Sequence, residues 1–230
     1  MENIKGKQRI VALDNLRAMA IFFVVLCHST QAFYSMNADQ LGAVSSKSAF
    51  FAIVVFTIGR MGVPLFLMLT GFLLLDREYD DKDIIVFWKQ KWLRLLMCTV
   101  IWFVIYDLFV VLIQKQNIEA GVIIEDLLFI HDVPLTHTWY MPMILGIYLL
   151  IPFAANSLQQ HSLKIILFPT IFFAAYAFGY PFFYVINNAY HPEAPLELKM
   201  NLGFSGGIYG IYLVAGYLIK KEVLMNIPGC

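Results

Sequence analysis

Three ionisable side chains, Asp14, Arg17 and His28, lie inside the first long apolar stretch, residues 10–33. An arginine at the centre of a membrane helix costs roughly 2.5–3.5 kcal/mol on insertion scales, so intramembrane charges mark functional sites by default. Successive helical residues turn by about 100°, so Arg17 and His28 project from the same face, roughly 16 Å apart along the axis at about 1.5 Å per residue. Asp14, three residues before Arg17, is placed to pair with its guanidinium.

These three side chains on one helix face predict a site for a polar reactant. Arg17 can receive an anionic group, and His28 can remove a proton from a hydroxyl because histidine titrates near neutral pH. The alternative is that Arg17 and Asp14 form a structural pair and that His28 is a core histidine bonded to a neighbouring helix. The residues alone leave both interpretations open.

Arg60 is a further cation in the middle of a membrane-length apolar stretch. Gly59 and Gly62 flank it and allow close backbone approach, and Pro64 follows. A proline in a membrane helix frees a carbonyl that a cation or water can satisfy, so we expect a kink or break here. The alternative is ordinary helix packing with Arg60 at the break.

Lys91 and Arg94 belong to a basic patch that also contains Trp88, Lys89 and Trp92 and leads into the third apolar span. Two cations three residues apart share a helix face, which suits a phosphate group. The alternative is a patch that only sets membrane topology, with tryptophans at the interface.

His137 and Trp139 open the fourth span. An aromatic face packs well against the apolar surface of a sugar, so the pair predicts contact with a glycan acceptor, although an interfacial aromatic belt explains Trp139 equally well. No histidine or cysteine spacing favours a metal site, and the three cysteines favour neither a disulfide framework nor a metal centre.

Composition places the chain in the bilayer. Of its 230 residues, 60% are hydrophobic and only 14% are charged, which excludes an ordinary soluble domain. The formal net charge is zero and there is no basic run, so nothing indicates binding to nucleic acid.

The apolar pattern predicts an all-α, polytopic membrane bundle with about six transmembrane helices. Spans of about 20 apolar residues fit at 10–33, 49–75, 95–114, 138–156, 164–186 and 203–219. No internal repeat or low-complexity linker divides the chain, so we predict one membrane domain over residues 1–230.

Lysine and arginine outside the spans fall mainly on one side of this arrangement. That side carries Lys5, Lys7, Arg9, Arg77, Lys82, Lys89, Lys91, Arg94, Lys164, Lys220 and Lys221. The other side carries only Lys47, Lys115 and Lys199. By the positive-inside rule the N-terminus is predicted to be cytoplasmic. Arg17 then lies in the cytoplasmic half of its helix and His28 in the outer half.

Four motifs in this order resemble the membrane-bound acyltransferase 3 family. The family has an arginine, ten residues and a histidine in its first span, which Arg17 and His28 match. Residues 63–72 resemble its second-span pattern, with threonine where serine is usual. Lys91 and Arg94 stand where the family has arginine-x-x-arginine, and residues 137–152 match its later His-x-Trp, Tyr-Leu-Leu and Pro pattern.

The resemblance implies transfer of an acyl group, usually acetyl from acetyl-CoA, to a hydroxyl of a cell-envelope polysaccharide or lipid-linked glycan in the bacterial inner membrane. His28 and Arg17, with Asp14, would be the catalytic residues. Lys91 and Arg94 would bind the donor at the cytoplasmic face, and no cofactor is implied. Residues 10–153 carry the motifs.

Three further residues receive predicted roles from their positions along the membrane spans. Arg60 is predicted to help bind the donor, and His137 and Trp139 are predicted to face the acceptor. Family members usually have about ten spans, so we expect this chain to be a short member that lacks the later helices. The competing predictions are a carrier or flippase for a lipid-linked sugar and an inactive remnant.

Overall fold

The structure, a computed structural model, describes residues 10–34, 47–115, 120–127, 129, 139–190 and 207–225. It is 90% helical and has no strand within these residues, which confirms the all-α prediction. The helices are α1 (Val11–Tyr34), α2 (Lys47–Gly59), α3 (Gly62–Leu74), α4 (Asp81–Phe87), α5 (Leu93–Leu112), α6 (Ala120–Leu127), α7 (Tyr140–Gln160), α8 (Leu163–Ala174), α9 (Tyr180–Tyr190) and α10 (Gly207–Met225). Two π-helical segments, Trp88–Trp92 and Ala175–Gly179, join α4 to α5 and α8 to α9.

Within the described residues, four helical segments are long and apolar enough to cross a membrane. They are Val11–Tyr34, Phe50–Leu74, Asp81–Leu112 and Tyr140–Gln160. These four overlap the first four predicted spans, and the third begins at Asp81, well before the predicted residue 95. The fifth predicted span falls on α8, the π segment and α9, and the sixth falls on α10, but the number six is not confirmed.

The second span is broken where the sequence predicted a kink. α2 ends at Gly59, Arg60 and Met61 form a turn, and α3 begins at Gly62. Pro64 sits in the first turn of α3, where its missing N–H costs no intrahelical hydrogen bond. The break therefore places the backbone of Arg60 between two helices inside one membrane-length segment.

The chain divides into two compact units, one made of Met1–Leu73 with Ile208–Cys230 and the other of Leu74–Gly207. In the first unit, α1 packs against the helices on both sides of the break. A Cβ atom added to Gly59 would lie 2.6 Å from the backbone nitrogen of Cys27, and one added to Gly62 would lie 2.8 Å from the carbonyl oxygen of Ala20. Small residues thus let these backbones touch, as is common between membrane helices.

The same unit brings α10 against α3 through a second pair of glycines. A Cβ atom at Gly71 would collide with the backbone of Leu213, and one at Gly216 would collide with the backbone of Met68. Leu213 and Gly216 are buried, as Gly71 is. This crossing places the N-terminal half of α10 alongside the region of the helix break.

In the second unit, α4, the π segment and α5 form one helical rod of 32 residues, Asp81–Leu112. The Asp80 carboxylate accepts a hydrogen bond from the backbone N–H of Asp83 (2.7 Å) and caps the start of α4. Such a cap satisfies one of the N–H groups that a helix start leaves without a partner.

Two tryptophans of the π segment tie this rod to α7. The indole Nε1–H of Trp88 donates to the carbonyl oxygen of Leu149, and that of Trp92 donates to the carbonyl oxygen of Leu145, both at 3.1 Å. The carbonyls are four residues apart on one helix. The two tryptophans thus hold these helices together.

The loop before α4 is fixed by amide side chains at the end of α7. Asn156 accepts a hydrogen bond from the N–H of Tyr79 (2.9 Å) and donates one to its carbonyl (2.7 Å). Gln159 donates to the carbonyl of Leu75 (3.3 Å), and the Tyr79 hydroxyl donates to the carbonyl of Leu74 (3.2 Å). These bonds define the end of the second unit that the predicted orientation places at the cytoplasmic face.

Candidate active site

The Asp14–Arg17 pair predicted from spacing is present on α1. Arg17 Nη1 donates to Asp14 Oδ1 at 2.7 Å, with the two side chains 47% and 29% exposed. Asp14 also lies in the first turn of α1, where the helix dipole favours a carboxylate. The pair keeps the guanidinium partly neutralised while leaving about half of it accessible.

His28 is half-buried on the same helix and is oriented by a residue that the sequence analysis did not single out. Its Nδ1 lies 2.9 Å from Oε1 of Gln31, one turn further on. Because an amide oxygen only accepts hydrogen bonds, this contact fits the neutral imidazole that carries its hydrogen on Nδ1. Nε2 is then the nitrogen that can accept a proton. The i, i+3 spacing of two polar residues was the available signal for this contact.

Arg17 and His28 lie at different depths of the same helix. α1 is an uninterrupted α-helix from Val11 to Tyr34, so eleven residues separate the two by roughly 16 Å along the axis. They cannot both contact one small reacting group. A long reactant that lies along the helix can meet both.

Arg60 lies in the first unit near the C-terminal half of α1. Its guanidinium sits over the ring of Phe56, 5.8 Å from the centroid. The neighbouring Gly59 packs on Cys27, next to His28 in the chain. The structure thus brings Arg60 close to the level of His28, and not to that of Arg17.

Lys91 and Arg94, the predicted donor patch, belong to the second unit. Lys91 lies in the π segment Trp88–Trp92 and Arg94 in the first turn of α5, and both side chains are exposed. π-helical insertions are frequent at functional sites, because the extra residue re-aims the side chains around it. The basic motif thus coincides with an irregularity that the sequence did not predict.

Of the two predicted acceptor residues, Trp139 is described and His137 lies outside the described residues. Trp139 precedes α7 and is 45% exposed. Its ring stands edge-on to that of Tyr140, with 6.1 Å between centroids. The exposed Trp139 is compatible with either an interfacial belt or a sugar-packing surface.

A buried carboxylate in α5 was also missed by the sequence analysis. Asp107 is only 6% exposed and shares the buried face of α5 with Thr99, Phe103 and Val110. An acidic residue inside the predicted third span was the available signal. Asp107 belongs to the second unit.

The described part of the second unit contains an open cavity of about 570 Å³ beside the loop before α4. Its lining includes Glu78, Asp80 and Asp83, together with the amides of Asn156 and Gln159. Three carboxylates repel a polyanion, and both amides already hold the loop. This cavity does not suit a nucleotide-containing donor.

Within the described residues, no three histidine, cysteine, aspartate or glutamate side chains are grouped to hold a metal ion. That the site uses no metal stays a prediction from the sequence. Among the described residues of the first unit, the polar groups that the sequence singled out are the Asp14–Arg17 pair, His28 with its neighbour Gln31, and Arg60.

Comparison with known proteins gives one match. A family model described as an acyltransferase domain, Acyl_transf_3, matches residues 10–225. Neither the curated proteins nor the solved structures contain a significant match to the chain. The family match starts before Arg17 and ends within α10, so it covers both units.

Proposed function

The chain belongs to the acyltransferase 3 family and is a membrane acyltransferase, and on that premise we propose its reaction. It transfers an acyl group, in the first instance acetyl, from acyl-CoA to a hydroxyl of a cell-envelope polysaccharide or lipid-linked glycan. The proposed location is the bacterial inner membrane, with the N-terminus in the cytoplasm.

One observation carries this proposal: the arrangement of base and cation along α1 within the family match. His28 is held by Gln31 so that Nε2 can accept a proton. Arg17 lies roughly 16 Å away on the same helix, on the predicted cytoplasmic side. A sugar hydroxyl is a weak nucleophile at neutral pH and needs such a base.

In the proposed reaction, Nε2 of His28 accepts the proton of the acceptor hydroxyl. The hydroxyl oxygen forms a bond to the carbonyl carbon of the thioester, and the carbonyl electron pair moves onto its oxygen. When the carbonyl re-forms, the carbon–sulfur bond breaks, and the proton passes from the imidazolium to the departing CoA thiolate. The products are the acyl ester and CoA.

The donor is proposed to bind along the cytoplasmic half of the membrane domain. Acyl-CoA carries several phosphate charges and is made in the cytoplasm, where Arg17, Lys91 and Arg94 are predicted to lie. Its long pantetheine arm suits the separation between Arg17 and His28. Lys91 keeps the positive charge of the family motif but lacks the two-pronged geometry of arginine. Arg60, near the level of His28, is proposed to meet the acyl end of the donor.

The acceptor is proposed to reach His28 from the outer side. Trp139 is exposed at the start of α7, which the predicted orientation places at the outer face. Together with His137 it would offer an aromatic and a hydrogen-bonding surface to a sugar. The lipid bilayer surrounds the domain, since large apolar side chains such as Phe22, Trp102 and Phe168 are exposed.

The test uses bacterial membranes that contain or lack this chain. Acetyl-CoA labelled in the acetyl group is added, and label is measured in the extracted polysaccharide and lipid-linked glycan fractions. The proposal expects label in a glycan fraction only when the chain is present. Counterflow of labelled lipid-linked sugar without acyl-CoA, combined with no label transfer, would overturn the proposal in favour of a carrier.

A further inference from the structure

Arg60 is an intramembrane guanidinium that no carboxylate neutralises within the described residues. Its guanidinium lies over the Phe56 ring, 5.8 Å from the centroid. Arg17, by contrast, holds Asp14 at 2.7 Å. A cation is costly in a membrane segment unless it pairs with something, so Arg60 is expected to meet a negative charge that arrives with the reaction.

The register of α1 against the broken helix gives the depth of Arg60. Gly59 lies against Cys27, and Gly62 lies against Val24, so α1 runs antiparallel to this segment. Arg60 follows Gly59 and is therefore level with about the residue before Cys27. At about 1.5 Å per residue, this is roughly 3 Å in depth from His28 and roughly 14 Å from Arg17.

Two tyrosines of α10 lie on the side of the α3–α10 crossing that faces the helix break at Arg60. On one side of that crossing, Lys220 Nζ lies 5.8 Å from the ring centroid of Phe72. On the other side, the charge of Arg60 acts on the hydroxyls of Tyr209 and Tyr212. The two helices therefore run parallel, and both tyrosines stand beside the break that carries Arg60.

We propose that Arg60, with the hydroxyls of Tyr209 and Tyr212, forms an oxyanion site that binds the thioester carbonyl oxygen opposite His28. The inference rests on the proposed acyl transfer. When the acceptor oxygen bonds to the carbonyl carbon, the carbonyl electron pair moves to its oxygen, and the guanidinium and phenolic O–H groups donate to that charge. The oxygen loses this negative charge when the carbonyl re-forms and the CoA thiolate departs.

In this proposal Arg17 and Arg60 have different roles. Arg17, already paired, lies where the donor phosphates would enter, whereas Arg60 lies where charge develops during the reaction. The N-terminus of α3, two residues after Arg60, points its positive dipole end at the same place. Groups that meet charge only in the transition state lower the barrier without tightening substrate binding.

The test compares wild type with Arg60→Gln in the acetyl-transfer assay, with the acetyl-CoA concentration varied. The inference expects kcat to fall by about 10²–10³-fold, the usual effect of losing one oxyanion donor, with little change in KM for acetyl-CoA. Tyr209→Phe and Tyr212→Phe should each lower kcat in the same manner. Arg77→Gln, outside the membrane segments, and Tyr217→Phe, on the same helix, are matched controls and should retain wild-type rates.

The outcomes distinguish the inference from the proposed function. If wild type is active and Arg60→Gln has a normal kcat, the oxyanion site is overturned and the proposed function is not. A raised KM for either substrate at unchanged kcat would also overturn it, because Arg60 would then bind an anion in the ground state. An inactive wild type overturns the proposed function and this inference with it. If Arg60→Gln does not insert, Arg60→Lys keeps the charge, and the inference expects reduced kcat at unchanged KM.

Discussion

Gln31 contacts Nδ1 of His28, the histidine that we propose acts as the base. Its Oε1 lies 2.9 Å from Nδ1, so Gln31→Leu should let the ring turn and change tautomer. A misplacement of about 1 Å at a reacting group costs up to about 100-fold in rate. We therefore expect Gln31→Leu to lower kcat up to about 100-fold with KM for acetyl-CoA unchanged, measured by labelled-acetyl transfer.

Two further variants make this prediction specific. Gln31→Glu keeps an acceptor oxygen for Nδ1 and should retain more of the rate than Gln31→Leu. Gln160→Leu, at the exposed end of α7, is the matched control and should behave as wild type. Equal losses in Gln31→Leu and Gln31→Glu would show that Gln31 does not act through the imidazole.

Tyr79 makes the stability of the second unit depend on pH. Burial raises the pKa of its hydroxyl, the charge of Arg77 lowers it and that of Asp83 raises it, with burial the largest effect. Because the folded pKa is raised, the stabilisation is complete below the unfolded pKa of about 10 and is lost as the pH rises through the folded pKa. The protonated hydroxyl donates to the Leu74 carbonyl.

The corresponding experiment is thermal unfolding of detergent-solubilised protein between pH 8 and 11. Tyr79→Phe should be less stable than wild type by about 1 kcal/mol at pH 8, because it lacks one hydrogen bond. That difference should shrink above about pH 10. Tyr190→Phe, an exposed tyrosine, is the control. A constant difference across the range would contradict the prediction.

At this scale the sequence predicted local pairs better than tertiary neighbours. The Asp14–Arg17 pair follows from helix spacing alone and is present. The contact of Gln31 with His28 has the same spacing, but many polar pairs do, and only the side-chain positions show that these two meet. The depth of Arg60 depends on which residue of α1 its helix touches. The apolar periodicity does not predict how α1 and this helix are aligned along their length.

At the scale of helices, contact between α1 and the broken second span depends on Gly59. A Cβ there would approach the Cys27 backbone nitrogen to 2.6 Å, and backbone cannot move aside as a flexible side chain can. We expect Gly59→Ala to destabilise the protein by about 1–3 kcal/mol, in the range of other overpacked sites. The measurement is the unfolding temperature in detergent, together with the fraction of monodisperse protein.

Gly146 provides the matched control for this substitution. It lies inside α7 with open space around its Cβ position, so Gly146→Ala meets no neighbour within 4 Å. Alanine is favoured over glycine in a helix interior, so this variant should be neutral or more stable. Equal behaviour of the two variants would contradict the close contact at Gly59.

The helices themselves were predictable, but their irregularities were only partly so. Runs of apolar residues gave the four long spans, and the combination of Arg60 with Pro64 correctly predicted a break. The π segment at Trp88–Trp92 was not predicted, because one extra residue in a turn leaves the apolar pattern almost unchanged. Its two tryptophans donate hydrogen bonds to α7, and the apolar pattern does not predict these contacts either.

At the scale of the whole molecule, the predicted orientation in the membrane decides from which side each proposed substrate would reach the site. Lysine and arginine are concentrated on the side that carries Lys89, opposite to the side predicted for Trp139. In a background with the three cysteines replaced by alanine, Lys89→Cys should react with a membrane-impermeant maleimide only from the cytoplasmic side. Trp139→Cys should react only from the outside. Labelling of both from one side would contradict the orientation.

The family assignment covers 10–225, whereas the described structure contains two compact units. The motif residues were predictable because each motif is local in sequence. The sequence could not show that Arg17, His28 and Arg60 share one unit while Lys91 and Arg94 belong to another, since that division arises from tertiary packing. That all of them serve one active site is a proposal from the family's motifs.

The most direct measurement is labelled-acetyl transfer from acetyl-CoA to envelope glycan in membranes that carry wild type, His28→Ala or His161→Ala in equal amounts. His161, exposed after α7, is the matched histidine. We predict transfer by wild type and His161→Ala and none above background by His28→Ala, because His28 is the proposed base. Full transfer by His28→Ala would contradict the account.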